Sequence, residues 1–184
     1  MELALLYQLL TWSREMKSQK QASPEKLEQR ARNVVLFQLS KSPKSAKELA
    51  VILEKREIPQ EIADHVIERF TEVGLIDDFA VAQSVVNHRT SQFRSRKVIN
   101  YELRKKGVSE DLIQRATEEI SESDQELANQ AALKRLRSLK NLEPTVIRRR
   151  LMAFLQRRGF SGEISSRAVA SALDALKLGD DEHS

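Results

Sequence analysis

The stretch at residues 73–107, VGLIDDFAVAQSVVNHRTSQFRSRKVINYELRKKG, decides how this chain folds. Gly74 stands where a helix must end on a residue free to take positive φ. Asp77 and Asp78 follow, and either can cap a new helix and oppose its dipole. Phe79, Ala82, Val85 and Val86 recur at helical spacing and give that helix one apolar face. After a polar break at 90–92, Ser95 can cap a second helix that carries Val98, Ile99 and Leu103 and stops at Gly107. Two amphipathic helices and their turns are the minimum this stretch encodes.

Its basic end recurs elsewhere. LEKREIPQEI (53–62), LRKKGVSEDL (103–112) and LQRRGFSGEI (155–164) share one pattern: a leucine, a charged run, an apolar residue, a helix-start residue and, three positions on, another apolar residue. The leucines are 50 and 52 residues apart. Pro59, Ser109 and Ser161 hold the helix-start position, where a proline in the first turn or a serine cap fits. Glu57 stands where the other two copies have Gly107 and Gly159, so a less tight or differently ended turn is expected there. A further helix precedes each pair, over 27–39, 78–89 and about 124–139, making each unit three helices.

The period exceeds that of the common helical solenoid repeats. The fold class expected is therefore all-α, with three tandem three-helix modules forming an elongated, curved helical array in which neighbours share apolar contacts. The modules fall at 27–76, 77–122 and 123–178. Within the first, Ser45 and Glu48 have the spacing of a capping box, Leu49, Ile52 and Leu53 form a buried stripe, and Ile62, Val66, Phe70 and Val73 line the closing helix. In the last, Pro144 starts a helix bearing Ile147, Leu151, Phe154 and Leu155. Ahead of the modules lie an amphipathic leader and linker at 1–26, and after them an acidic tail at 179–184 expected to be disordered. The apolar run at 1–12, MELALLYQLLTW, is too short to span a bilayer and lacks a basic flank and a small-residue cleavage site. A docking helix, a frayed leader and a start-site artefact all fit it; a mobile amphipathic helix is the reading preferred.

GLIDDFAVAQSVVNHR (74–89) followed by YELRKKGV (101–108) resembles the signature of the RecX regulatory proteins, bacterial modulators of the RecA recombinase. Each half is common on its own; both in this order and spacing are specific. The resemblance runs over about 27–173, and Phe93-Arg94 departs from it where the family often has a glycine. It implies a regulator of the RecA filament that restrains recombinase, ATPase and co-protease activities in DNA repair, recombination and the SOS response. The partners implied are the RecA filament and, weakly, single- or double-stranded DNA, with no cofactor and no membrane, in a cytoplasmic monomer.

The net charge of +4 hides strong segregation. Residues 54–79 carry eight acids and three bases, and 110–126 carry seven acids and one base. Residues 94–106 carry six bases and one acid, and 134–158 carry nine bases and one acid. The second helices of the middle and last modules are thus both basic. Lys97 and Arg104 are seven residues apart, as are Arg150 and Arg157, so each pair shares a helix face. Unpaired charge is excluded from cores, which leaves a solvated face or a surface for a polyanion. The candidate RecA- and DNA-binding surface comprises Arg94, Arg96, Lys97, Arg104, Lys105 and Lys106, with Arg148, Arg149, Arg150, Arg157 and Arg158.

Catalytic chemistry has little to stand on. The chain has no cysteine, which removes disulfides and thiolate chemistry and suits a reducing compartment. His65, His88 and His183 lack metal-ligand spacing, and capping accounts for Asp77 and Asp78. No phosphate-binding glycine loop or serine elbow occurs. These features point to a binding protein rather than an enzyme. A nucleic-acid-binding helical module without a dedicated recombinase partner is the alternative, and it predicts affinity that falls steeply with salt.

Overall fold

A computed structural model describes residues 23–118, 120 and 122–181, the last five as backbone. Nine α-helices and no strand occur among the described residues. The leader expected at 1–12 lies outside them. Close contacts divide the chain into two units, Met1–Ile76 and Asp77–Ser184.

The first unit holds α1 (Pro24–Leu39), α2 (Ala46–Glu54) and α3 (Gln60–Glu72). Spacing predicts a start for α1 at Leu27, yet the helix opens at Pro24 because Ser23 caps it and proline is pre-set for a first turn. Ser45 and Glu48 form the expected capping box: the Glu48 amide donates to Ser45 Oγ at 3.2 Å and the Ser45 amide to Glu48 Oε2 at 3.1 Å. Val35, Leu49, Leu53 and Val66 fill the core, with Ile52, Ile62 and Phe70 packed around it. Val73 does not belong to that core. It lies just past the end of α3 and is 69% exposed, while Ile76 is 2% exposed. The chain reverses at Gly74 (φ 71°), and the Ile76 amide reaches back to Phe70 O at 3.1 Å, folding the isoleucine inward.

The second unit holds α4 (Asp78–Ser91), α5 (Arg96–Lys106), α6 (Glu110–Glu118), α7 (Asp124–Leu136), α8 (Pro144–Arg157) and α9 (Gly162–Asp181). Of the two candidate caps, Asp77 takes the role, its Oδ1 accepting from the amides of Phe79 and Ala80 at 2.9 Å. A second capping box, Ser123 with Glu126, opens α7. The first helix of each set packs on the third, α1 on α3, α4 on α6 and α7 on α9. Ile99, Leu103 and Ile113 join Leu127, Ile147, Leu151 and Leu155 in one buried cluster, so α4–α6 and α7–α9 share a single core. The last helix continues to Asp181, through the glycine at 179 where a tail was expected to begin. A glycine inside a helix costs only about 1 kcal/mol relative to alanine, which does not by itself end the ladder.

The repeated sequence pattern is one repeated turn. At the ends of α2, α5 and α8 the amides of Ile58, Val108 and Phe160 donate to the carbonyls of Leu53, Leu103 and Leu155 at 3.2, 3.1 and 3.3 Å. The residue before each amide is left-handed, with φ of 59° at Glu57, 82° at Gly107 and 92° at Gly159. This is the six-to-one bond of a Schellman end. The expectation of a different turn at Glu57 is therefore corrected. The leucine and isoleucine on either side, both buried, hold the same geometry there and impose a conformation that disfavours a Cβ.

The three positions should respond differently to substitution. Glu57→Gly should raise stability by about 0.5–1 kcal/mol, since relief of the left-handed strain exceeds the extra entropy of an unfolded glycine. At Gly74 an added Cβ meets nothing within 4 Å, so Gly74→Ala should cost only the backbone strain, about 1 kcal/mol. At Gly159 it would collide with Val98 Cγ2 and Ser95 Oγ, and Gly159→Ala should cost about 2–4 kcal/mol. Thermal midpoints of the three variants check the order.

Candidate functional site

The two signature halves are joined by an ion pair. Arg89, near the end of α4, donates through Nε and Nη2 to Glu102 of α5 at 2.7 and 2.8 Å, a bidentate and half-buried contact. It ties the end of α4 to the middle of α5. The Arg89 guanidinium holds the Glu102 carboxyl below its ordinary range, outweighing the opposing effect of burial.

Between those helices the chain meets the end of α8. Ser95 caps α5 and is fully buried, and its amide donates to Arg158 O at 3.1 Å. The carbonyl end of α8 thus abuts the amide end of α5, a favourable alignment of helix dipoles. Arg94 Nη1 donates to Arg157 O at 2.8 Å, and Arg158 Nη1 reaches Gln92 O. The Arg158 guanidinium lies 4.4 Å from the centroid of Phe154, while its Nε is buried without a hydrogen-bond partner. Burial, and then the charge of Arg94, lower its pKa from the usual guanidinium value.

The basic residues singled out from sequence fall into four groups. Lys97, Arg104 and Lys105 on α5 are exposed, as are Arg148, Arg149, Arg150 and Arg157 on α8. Arg104 is bound to Glu110, with Nη2 to Oε2 at 2.9 Å, and Lys106 is half-buried and near the Glu102 carboxylate. Arg94 and Arg158 gather at the junction just described. Arg96 has a structural post: its guanidinium donates to the carbonyls of Thr117, Ile120 and Glu122 at 3.4, 2.9 and 3.1 Å, and its amide to Asp124 Oδ1 at 3.0 Å. It pins the link between α6 and α7.

Other features lie outside the basic residues singled out from sequence. Tyr101 is 68% exposed and lies four residues from both Lys97 and Lys105, on the same face of α5. Phe93 ends α4 with φ 55°, a conformation that costs a bulky side chain about 1–3 kcal/mol. Its departure from the family glycine was the visible clue. Phe93 and Phe154 border a cavity of about 710 Å³ with Arg94, Lys134, Arg135 and Arg158. Lys134 and Arg135 were hidden in a run of nine bases with nothing to set them apart.

Three protein-family descriptions match the chain in order: "RecX, first three-helix domain" over residues 31–70, "RecX, second three-helix domain" over 77–116 and "RecX, third three-helix domain" over 122–169. Regulatory protein RecX of Thermobifida fusca is 36% identical over 156 residues, covering 84% of each chain. Regulatory protein RecX of Streptomyces coelicolor is 36% identical over 172 residues, covering 90% of this chain and 92% of that protein. A crystal structure of regulatory protein RecX matches with a TM-score of 0.64 and 25% identity, over 83% of this chain and 74% of that one. The crystal structure of RecX from Lactobacillus salivarius matches in fold, with a TM-score of 0.65 at 21% identity over 84% and 99%.

The ion pair gives a pH-dependent test. Glu102→Gln should destabilise the chain by about 1 kcal/mol at neutral pH, the upper range for a partly exposed pair. Because the folded carboxyl titrates below its unfolded value near 4.3, that stabilisation is complete above this pH and is lost as pH falls through the folded value. Wild type and variant should therefore converge in denaturant midpoint as pH falls from about 4.3 through that lower folded value.

Proposed function

This chain belongs to the RecX family of regulatory proteins, and from that premise we propose that it binds the RecA filament and restrains its recombinase, ATPase and co-protease activities without catalysing a reaction itself. The observation that carries the proposal is the exposed strip on α5, where Tyr101 stands between Lys97 and Lys105. An exposed tyrosine flanked by two lysines is closer in composition to a binding hot spot than to an idle solvated face. A recombinase filament offers acidic protein surface together with DNA phosphate, and mixed surfaces of that kind are recognised by separate basic patches acting at once. The second such patch is Arg148, Arg149, Arg150 and Arg157 on α8, which belongs to the same core as α5. Affinity for bare DNA is the weaker component in this reading. Among the described residues no helix is long and apolar enough to cross a membrane.

The test compares wild type with Tyr101→Ala, Lys97→Ala/Lys105→Ala and Arg149→Ala/Arg150→Ala in inhibition of RecA-catalysed strand exchange and ATP hydrolysis. Each should fold within about 0.5 kcal/mol of wild type, because exposed side chains are being removed. Tyr101→Ala should raise the concentration for half-inhibition by about tenfold or more, the loss of a hot-spot residue. Wild-type potency in all three variants would refute the basic faces as the contact surface. Equal affinity of the wild type for bare and for RecA-coated DNA would instead favour a nucleic-acid module without a recombinase partner.

A further inference from the structure

The cavity between the α4–α5 turn, α7 and α8 is not used by the α5 strip. Four cations border it, Arg94, Lys134, Arg135 and Arg158, and no carboxylate lines it among the described residues. Two aromatic rings border the same space. Lys134 Nζ lies 5.3 Å from the centroid of Phe93, and the guanidinium carbons of Arg135 and Arg158 lie 5.9 and 4.4 Å from that of Phe154. Ring faces are where cations rest in the absence of an anion. Lys134 and Arg135 are exposed and more distant from their rings, so they are free to turn toward a ligand, whereas Arg158 is fixed by its bond to Gln92 O.

We infer that this cavity is a subsite for one unstacked nucleotide of a single nucleic-acid strand, with the base against Phe93 and the adjoining phosphate held by Lys134 and Arg135. Charge alone would fit an acidic peptide as well. The rings decide between them, because a nucleotide uses both the cations and the aromatic faces, and single-strand readers combine those two elements. A duplex cannot enter without first unstacking a base. The volume of about 710 Å³ is ample for one nucleotide. Phe93 supplies one of the two rings, and it does so from a left-handed backbone position where glycine would be unstrained. Arg94, the next residue, lines the same pocket and is held by its bond to Arg157 O. The inference does not rest on filament binding, since a bare strand suffices for it.

The experiment is fluorescence anisotropy of full-length protein with a labelled oligothymidylate across a salt series, with no RecA present. Lys134→Gln/Arg135→Gln changes exposed side chains only and should weaken binding by about tenfold or more at low salt. It should also lower the log–log salt slope by about 0.7–1.4, one or two phosphate contacts. Phe93→Asn keeps a residue tolerant of positive φ and should weaken binding by about 5- to 100-fold with the slope unchanged, as expected for a lost stacking contact. An abasic strand should bind wild type about as weakly as oligothymidylate binds Phe93→Asn. Arg30→Gln, exposed on α1 and outside the cavity, should leave the preference for a base over an abasic site intact. The inference is overturned if variants with wild-type thermal midpoints bind oligothymidylate with unchanged affinity and slope. It is equally overturned if wild type does not distinguish the abasic strand, or if polyglutamate displaces the strand as well as unlabelled oligothymidylate does.

Discussion

Packing in the second unit depends on one close approach. Gly159 lies against the first turn of α5, with no room for a methyl group beside Val98 and Ser95. That proximity lets the Ser95 amide reach Arg158 O and brings the end of α8 to the start of α5. From it follow the bond from Arg94 to Arg157 O, the seat of Arg158 on Phe154 and the cavity beside them. The glycine serves two needs at once: it takes the left-handed turn that ends α8, and it removes the side chain that would separate the two helices. Either need alone is common. Together they make position 159 stricter than Gly74, whose surroundings are open.

Much of the fold was legible because it rests on local rules. Leucines at 53, 103 and 155, caps at Ser45, Asp77 and Ser95, and glycines at 74, 107 and 159 each do what their residue type favours. The failures came where tertiary packing overrode local preference. Glu57 adopts a glycine-like turn because buried Leu53 and Ile58 demand it. Val73 fits the helical period yet lies past the last turn, so Ile76 is the residue that returns to the core. Side-chain destinations were the least legible. Arg96 looks like its neighbours in sequence, but three carbonyls claim its guanidinium. Tyr101 gave no period-based signal because it faces away from the core, and Lys134 and Arg135 acquire meaning only when α7 brings them beside two phenylalanines.

Charge and architecture are coupled in the second unit. Arg104, Lys105 and Lys106 occupy the last turn of α5, where cations offset the carbonyl end of the helix, so part of the basic run has a local cause. Lys97 and the arginines of α8 that precede its last turn have no such cause. The acidic residues do not simply neutralise the basic ones. Glu102 and Glu110 are committed to Arg89 and Arg104, while Lys97 and Lys105 of α5 and Arg148, Arg149, Arg150 and Arg157 of α8 stay exposed. A shared rigid core under both helices would present the two patches in fixed register, which is what several weak contacts need in order to act together.

Hydrogen–deuterium exchange on the full chain, free and bound to RecA assembled on DNA, tests this arrangement most directly. Exchange should slow on binding in peptides covering 96–106 and 148–158, with little change over the acidic helix α3. Protection confined to α3 or α6, with α5 and α8 exchanging as in the free protein, would contradict it.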